Sequence, residues 1–238
     1  MDIDPIKGMA PEVGADIPSA PVFIEIEGEV LQLLAERALF WPSRSILMVA
    51  DVHLGKAASF RHAGIAIPGG TGAATLGRLD RALAVSGAQT LIVLGDLIHA
   101  KTSHTPALAM LVHRWREQHP ALRWHLLAGN HDKRAGLPEG WGLEPIDEGA
   151  GFGPFVLQHH PYPSVDGYVL SGHLHPAVRL TGRGRQRARL PCFWFGSKVG
   201  VLPAFGEFTG LFDVQPAPGD RVFVIGQGAV IRVTDHAK

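Results

Sequence analysis

Three short apolar runs in the first half of the chain each end in a polar residue. They are SILMVAD, TLIVLGD and RWHLLAGN, and their length and composition predict buried strands. Between them lie TGAATLGRLDRALAVSG and TPALAMLVHRWREQHP, whose apolar positions recur at helical spacing. Thr105 followed by Pro106 predicts the start of the second helix. This alternation of strand and helix predicts a parallel sheet built from βαβ units.

The pattern changes after Leu143, where strand-like runs follow one another with little helix between them. These runs are GPFVLQHH, GYVLSGHLH, AVRLTGRGRQRARLPCFWFG, GLFDV and DRVFVIGQGAVIRV. They predict a second, largely antiparallel sheet packed on the first. Nearer the N-terminus, FIEIEGEVLQLL alternates apolar and charged residues around Glu27 and Gly28, which predicts an antiparallel hairpin. We therefore expect an α/β protein.

Composition adds few constraints. The 238 residues include 22 Lys and Arg and 22 Asp and Glu, so the formal net charge is zero, although residues 167–206 contain bases and no acid. A single cysteine, Cys192, excludes an internal disulfide. Residues 1–20 are expected to form a flexible tail and do not resemble a signal peptide. No apolar run approaches the ~20 residues that span a bilayer, so we expect a soluble, cytoplasmic protein without membrane contact.

Side chains able to bind a metal ion stand at or just beyond the ends of five apolar runs. They are Asp51, His53, Asp96, Asn130, His131, Asp132, His159, His160, His173 and His175. Asp51 and His53 are two residues apart, as are His173 and His175, so on an extended strand each pair points to one side and can hold one ion. Oxygen and imidazole ligands without thiolates favour divalent ions such as Mn²⁺, Fe²⁺ or Zn²⁺.

Asp96 is the natural bridge between two such ions. Cations about 3.5–4 Å apart need an anion with two oxygens between them, and Asp96 is the one acid in its motif. A single histidine on a strand is more often a hydrogen-bonded core or surface residue. Five motifs together are hard to explain by packing, because buried Asp, Asn and His are costly unless paired or bound to metal. The set therefore predicts a dinuclear metal site.

The order of these motifs resembles the five signature blocks of the calcineurin-like metallophosphoesterases. The blocks are DVH, GD, GNHD, a histidine after a strand and GHLH, within about residues 45 to 180. The resemblance implies an α/β fold, a four-layer αββα sandwich of two mixed sheets flanked by helices, formed by residues 21–238 as one domain. For the histidine doublet we expect His159, nearer the strand, to be the ligand rather than His160. The implied ligands are Asp51, His53 and His175 for one metal, Asn130, His159 and His173 for the other, and Asp96 for both.

A longer resemblance indicates a narrower group. ADVHLGKAASFRHAGIAIPGGT, LGDLIHAK, LAGNHD and LSGHLHPAVRL are similar to the bacterial ligase-associated DNA damage response metallophosphoesterases, the PdeM group. This implies an endonuclease that acts on DNA in repair, with a DNA ligase, an exonuclease and a helicase as partners. Two alternatives stay open. One is the same chemistry on a small nucleotide, pyrophosphate or lipid-linked phosphoester. The other is a non-catalytic scaffold, whose mark would be broken ligand motifs, and the motifs here are intact.

The expected chemistry is hydrolysis by a hydroxide that bridges the metals and attacks phosphorus, because coordination lowers the pKa of water. We expect two Mn²⁺ ions, with Fe²⁺ or Zn²⁺ as alternatives. The resemblance implies that His131 faces the substrate, where it can hydrogen-bond the phosphate or protonate the leaving group. Asp132 is expected to orient the His131 ring. The alternative for Asp132 is a carboxylate at the N-terminus of a helix.

Substrate contacts are expected around these residues. Lys56 and Arg61 follow the DVH block in a loop where substrate must enter, so we expect them to bind phosphate. His99 lies three residues after Asp96 and is expected to orient a ligand or the phosphate, with a plain surface histidine as the alternative. His160 is expected to face the substrate beside His159.

Two further segments carry open interpretations. Arg183, Arg185, Arg187 and Arg189 alternate, so on a strand they project from one face. They could follow a phosphate backbone or protect an edge strand from aggregation. The aromatic run 193–195 could stack on bases, although an apolar core strand is the favoured interpretation.

Overall fold

The computed structural model of the chain describes residues 20–62, 64, 70–181, 187–207 and 209–233. The expected tail, apart from residue 20, lies outside this part of the chain, as do Arg183 and Arg185 of the arginine row. The described residues form sixteen strands in two sheets, together with four α-helices and two short 3₁₀ turns.

The first sheet has seven strands, which lie in the order of the sequence. They are β1 (Val22–Ile26), β2 (Glu29–Leu34), β3 (Ala38–Trp41), β4 (Ile46–Val49), β5 (Thr90–Leu94), β6 (Arg123–Leu127) and β7 (Leu143–Ile146). Strands β1 to β4 pair antiparallel, and β4 to β7 pair parallel. The β1–β2 hairpin turns at Glu27 and Gly28, whose φ values of 50° and 79° suit a tight two-residue turn. The predicted hairpin and parallel βαβ pattern are both confirmed.

Helices connect the parallel strands and cover one face of this sheet. They are α1 (Lys56–His62), α2 (Thr71–Ser86), α3 (Pro106–Gln118) and α4 (Asn130–Ala135). Helix α3 begins as predicted, since the Thr105 hydroxyl accepts a hydrogen bond from the Leu108 N–H and a proline occupies the first turn. Leu79 of α2 and Val112 of α3 pack in one core with Val93 of β5.

The second sheet has nine strands. They are β8 (Ala150–Phe152), β9 (Phe155–Leu157), β10 (Tyr168–Ser171), β11 (Pro176–Thr181), β12 (Arg187–Phe195), β13 (Val199–Val201), β14 (Phe212–Asp213), β15 (Arg221–Gly226) and β16 (Ala229–Val233). The order is β14-β11-β12-β13-β10-β9-β8, and β15 pairs with β12 and β16. Five pairings are antiparallel and three are parallel. The sheet is therefore mixed but largely antiparallel, as expected.

A second hydrophobic core lies between the two sheets. Successive residues of β4 point to opposite sides, so Leu47 packs with the helices and Met48 with the second sheet. Phe193 and Phe195 of β12 are fully buried in this inter-sheet core, which confirms the core interpretation for these two residues. Trp194, between them, is half-buried and packs with a smaller cluster on the other face of the sheet.

The expected α/β architecture of two stacked mixed sheets is confirmed. Its helices are few, and the described residues after Ala135 form only strands and connecting segments. Parallel strands need long crossovers, which helices provide between β4 and β7, whereas the antiparallel hairpins of the second sheet need none. The parallel strands β9 and β10 are joined by residues 158–167 without a helix. No helix within the described ranges is long and apolar enough to cross a lipid bilayer.

The burial of Cys192 predicts an unreactive thiol. Burial raises the pKa of this side chain to about 12, and the thiolate is the reactive form. In the native protein we expect Ellman's reagent to label Cys192 on the order of 1,000-fold more slowly than in urea-unfolded protein. Absorbance of the released thiolate measures both rates. Equal labelling of native and unfolded protein would contradict the buried position.

Candidate metal centre

The loops that carry the candidate ligands converge at one edge shared by the two sheets. Asp51 and His53 follow β4, Asp96 follows β5, Asn130 begins α4 after β6, His159 follows β9, and His173 and His175 follow β10. The His53 N–H donates to the Asp96 carbonyl at 2.8 Å. Across the sheets, the His173 N–H donates to Asp51 Oδ2 at 2.8 Å. The structure therefore brings together residues that are far apart in the sequence.

The backbone of these loops is not the extended strand assumed for the paired ligands. Both strands have ended, at Val49 and Ser171, before the pairs begin, so the prediction that each pair lies on an extended strand is wrong. A left-handed backbone aims the side chains instead, and non-glycine residues seldom adopt it. Five candidate ligands have φ between 49° and 71°, namely Asp51, His53, Asp96, His173 and His175. Such strain clusters at functional sites.

Asp51, His53 and His175 form the first group. Nε2 of His175 lies 3.4 Å from Asp51 Oδ1 and 3.4 Å from His53 Nε2. Asp51 is fully buried, and its Oδ1 makes no hydrogen bond to any residue that the structure describes. A buried carboxylate oxygen without a donor is costly, and a cation held by these three side chains would remove that cost. This group therefore fits a divalent metal.

Asn130, His159 and His173 form the second group. Nε2 of His159 lies 3.1 Å from Asn130 Oδ1 and 3.1 Å from His173 Nδ1. Two facing ring nitrogens can form a hydrogen bond only if one carries the proton, whereas both lone pairs can bind one cation. The oxygen and nitrogen donors of this group also fit a divalent metal.

Asp96 lies between the two groups. Its Oδ1 is 3.5 Å from His159 Nε2, and its Oδ2 is 3.9 Å from His53 Nε2. Each oxygen thus faces a different group, which is the arrangement needed for a carboxylate that contacts two cations. The residues of the edge can hold a dinuclear site, and their donor chemistry is compatible with several divalent metals.

Electrostatics favour the metal-binding protonation states of Asp96 and His53. Burial alone would raise the pKa of Asp96, but the hydrogen bond and charge of His159 and the His131 N–H outweigh it and lower that pKa to about 2. Burial, together with the charge of Lys56, lowers the pKa of His53 to about 2 and that of His99 to about 4. At neutral pH the Asp96 carboxylate is ionised and the His53 and His99 imidazoles are neutral, so the ligand atoms of Asp96 and His53 have free lone pairs. For His159, burial alone would lower the pKa, but the hydrogen bond to Asp96 and the charges of Asp51 and Asp96 outweigh burial and raise it.

Backbone carbonyls orient three of the histidines. His159 Nδ1 lies 3.1 Å from the Leu94 carbonyl oxygen, and His175 Nδ1 lies 3.0 Å from the Gly210 carbonyl oxygen. His131 Nδ1 lies 2.6 Å from the His99 carbonyl oxygen. A ring N–H donated to a carbonyl fixes the tautomer and leaves Nε2 with a free lone pair. The roles of Leu94 and Gly210 could not be predicted, because a carbonyl is present at every residue and leaves no signal in the sequence.

The structure distinguishes the two histidines of the doublet. His159 is fully buried among the second group. His160 is half-buried, with its ring 4.3 Å from the His173 ring and its Nδ1 3.6 Å from Glu148. This geometry favours His159 for the ligand position and places His160 at the rim.

Two glycines allow the ligand loops to approach each other. A Cβ added at Gly95 would lie 2.0 Å from Nδ1 of His159, and one at Gly129 would lie 2.2 Å from Oδ1 of Asp96. Both distances are far inside van der Waals contact. The glycines of LGD and GNHD are therefore required by close packing around the site.

The expectation that Asp132 orients the His131 ring is wrong. The buried Asp132 carboxylate accepts hydrogen bonds from the backbone N–H groups of Leu97 at 3.2 Å, Ile98 at 2.8 Å and Gly129 at 3.0 Å. The alternative is confirmed, since Asp132 lies in the first turn of α4 and caps it. It also ties the loop after β5 to the loop after β6.

The expected substrate contacts lie at different distances from the centre. Lys56 and Arg61 belong to helix α1 rather than to the expected loop. Lys56 is half-buried and lies close enough to Asp96 for their charges to interact, whereas Arg61 is exposed. The His99 ring stacks on the His131 ring, with 5.0 Å between centroids and 21° between planes. Lys56, His99 and His131 thus form one side of the centre.

The described part of the arginine row does not form a free basic stripe. Arg187 is exposed at the start of β12. The Arg189 guanidinium donates to Asp213 and to the Leu211 carbonyl, and Arg179 donates to the other oxygen of Asp213 at 2.7 Å. Arg189 is therefore committed to a contact between β12 and β14.

Comparison with known proteins identifies the family. The sequence profile of the calcineurin-like phosphoesterases matches residues 44–186, which is more than half of the chain. The chain belongs to the calcineurin-like phosphoesterase family. As a member of this family it is a metal-dependent phosphoester hydrolase, and its His and Asp clusters correspond to the dinuclear site that the sequence predicts.

Solved structures support the same conclusion. Nuclease MPE from Pseudomonas putida is 43% identical to this calcineurin-like phosphoesterase, with a TM-score of 0.79 over 90% of this chain and 100% of that chain. This similarity agrees with the resemblance to the PdeM group. Yfce, a phosphoesterase from E. coli, is 16% identical over 79% of this chain and 97% of that chain, and its TM-score of 0.35 supports no conclusion. A comparison with curated proteins found no significant match.

The three hydrogen bonds of Asp132 predict a large contribution to stability. Asp132→Ala leaves the buried N–H groups of Leu97, Ile98 and Gly129 without an acceptor, and each unsatisfied group costs roughly 1–3 kcal/mol. We expect urea unfolding to show a loss of about 3 kcal/mol or more. Asp132→Asn, which keeps one acceptor oxygen, should lose less. Wild-type stability in Asp132→Ala would contradict this role.

Proposed function

We propose that the protein is a dinuclear metal-dependent phosphodiesterase that cleaves DNA as an endonuclease. The observation that carries the proposal is the position of Asp96, whose two oxygens face two separate groups of ligand atoms. A shared carboxylate is what a pair of closely spaced divalent ions requires. The similarity to a nuclease at 43% identity supports a nucleic acid as the substrate.

The proposed ligands divide between the two groups. Asp51, His53 and His175 would hold one ion, Asn130, His159 and His173 would hold the other, and Asp96 would contribute to both. When bound, the ions lower the pKa of water and offset charge on the phosphoryl oxygens. We favour Mn²⁺, with Fe²⁺ or Zn²⁺ compatible with the same donors. The carbonyls of Leu94 and Gly210 keep the ligand rings in place while substrate enters.

His131 is the proposed proton carrier. Its ring N–H is held by the His99 carbonyl, and its Nε2 lies 3.9 Å from Asp96 Oδ2, so this nitrogen faces the centre. Protonated at Nε2, the ring can donate to a phosphoryl oxygen or deliver the proton to the leaving oxygen. The stacked His99 ring restricts its rotation.

Four side chains are proposed to contact the substrate. Lys56 supplies positive charge beside the first group, and Arg61 extends it along the exposed side of α1. His99 lies beside His131, and His160 lies at the rim of the second group. A role in DNA repair, with a DNA ligase, an exonuclease and a helicase as partners, stays a prediction from the sequence resemblance.

Two substitutions separate metal binding from proton transfer. Asp96→Asn should lose bound Mn²⁺ and activity together, because the neutral amide offers one oxygen in place of a shared anion. His131→Ala should keep its Mn²⁺ but turn over roughly 10²- to 10⁴-fold more slowly, the usual contribution of a general acid. Metal analysis of the purified proteins and hydrolysis of bis(p-nitrophenyl) phosphate provide the two measurements. Full activity in His131→Ala would refute its role.

The substrate is tested with a panel in Mn²⁺. Single- and double-stranded DNA are compared with bis(p-nitrophenyl) phosphate, a phosphomonoester and a dinucleoside polyphosphate, and Asp96→Asn is the control for contaminating nucleases. We expect cleavage of DNA and of the small diester by the wild-type protein alone. Intact DNA beside rapid turnover of a nucleotide or another small ester would replace the endonuclease proposal with the small-substrate alternative.

A further inference from the structure

An exposed aromatic residue stands beside the second group of candidate ligands. The Tyr162 side chain is 68% exposed, and its ring lies parallel to the His160 ring, at 12° with 6.0 Å between centroids. The His160 ring in turn lies 4.3 Å from the His173 ring. The 6.0 Å separation lies within the ~4.5–7 Å range of favourable aromatic contacts, and the 4.3 Å separation lies just below it. A row of three rings therefore leads from the centre to the protein surface.

The loop that carries Tyr162 is held in position. Pro161 and Pro163 flank it, and each proline restricts its own φ and the conformation of the residue before it. The Tyr162 N–H donates to the His160 carbonyl at 2.9 Å. The Gln158 amide, turned so that its NH₂ faces the loop, donates to the carbonyls of Tyr162 at 2.9 Å and His160 at 3.1 Å. Such pre-organisation lowers the entropic cost of binding a ligand.

A groove of about 290 Å³ adjoins this loop. Pro161 and Pro163 line it together with Leu174, Trp194 and the exposed Lys198. Leu174 lies between two candidate ligands in the sequence, so the groove borders the loop that carries them. Its volume is at the low end of the roughly 300–1,000 Å³ of small-molecule sites, which suits a single flat group. Its walls are mostly apolar, with one positive charge.

We propose that the Tyr162 ring and this groove form a subsite for unpaired nucleobases of the strand whose phosphodiester lies at the metal centre. Every base has an apolar face that stacks on aromatic side chains, and the positive charge of Lys198 suits the phosphate backbone. The inference rests on the proposed function, because a base reaches the groove only when its own strand occupies the centre.

An abasic scan tests the subsite. Single-stranded oligonucleotides, each with one abasic residue at a successive position around a cleavage site, are compared as substrates of wild-type protein, Tyr162→Ala and Tyr162→Phe. For wild-type protein, removal of the base at one or two positions beside the cut raises KM roughly 5- to 150-fold, the range for one base–aromatic stack. Tyr162→Ala raises KM for the unmodified strand by a similar factor and no longer responds to those positions. Tyr162→Phe keeps the ring and behaves as wild type.

The controls separate the subsite from the metal centre. Phe23 is an aromatic residue of similar exposure, 54%, and it lies on edge strand β1, three strands away from β4. Phe23→Ala should therefore leave KM unchanged. Tyr162→Ala should lose more activity on the oligonucleotide than on bis(p-nitrophenyl) phosphate. Equal losses on both substrates, or an unchanged response of Tyr162→Ala to the abasic positions, would overturn the subsite and leave the proposed function intact. Hydrolysis of the small diester without cleavage of any oligonucleotide would overturn the nucleic-acid substrate itself.

Discussion

The left-handed backbone conformation of five candidate ligands costs free energy, and the rest of the fold must hold it in place. Such residues cost of order 1–3 kcal/mol each and persist only where the surroundings leave no alternative. The surroundings here are two cores, one on each side of the first sheet, and hydrogen bonds that pass between the loops. Among them, the Gly206 N–H donates to the Asp51 carbonyl at 3.0 Å. The packing of the two sheets thus holds the loops of the metal centre in this unfavourable conformation.

The charges at this edge explain why a phosphodiester would approach it. Asp51 and Asp96 contribute two negative charges, whereas a pair of divalent ions brings four positive ones, so the loaded centre is positive. His53 and His99 stay neutral at neutral pH because burial and Lys56 lower their pKa values, and they add no charge of their own. In the proposed function, the attraction for phosphate would therefore come from the ions and from Lys56, with His53 as a neutral ligand and His99 as a neutral neighbour.

Much of the fold and of the candidate site could be predicted from the sequence. The βαβ rhythm, the hairpin at Gly28 and the start of α3 at Thr105 rest on local patterns, and the structure confirms them. The convergence of the first three motifs follows because the parallel strands β4, β5 and β6 end at a common edge, whereas their contact with the two motifs of the second sheet depends on how the sheets stack. The left-handed conformations could not be predicted, since no local pattern requires them.

The contacts that the sequence did not reveal all join residues far apart in the chain. Asp132 binds N–H groups more than thirty residues away, and Arg189 pairs with Asp213 across 24 residues. The partner of the His131 ring is a carbonyl, which every residue carries. The sequence favoured His159 over His160 only because His159 is nearer the strand, and the structure adds that His159 is fully buried whereas His160 is half-buried.

Asp132 stabilises the loops at the metal centre through three backbone hydrogen bonds, whereas other side chains supply the candidate ligands. The Asp132 carboxylate binds main-chain groups of the loops after β5 and β6, so this link between the two loops does not involve the candidate ligand side chains. Replacing a ligand side chain that makes no backbone hydrogen bond with another of similar size should leave the three hydrogen bonds of Asp132 in place. A protein engineer could therefore exchange a ligand such as Asn130, whose side chain accepts no backbone hydrogen bond among those that the structure shows, to suit a different ion on the same scaffold.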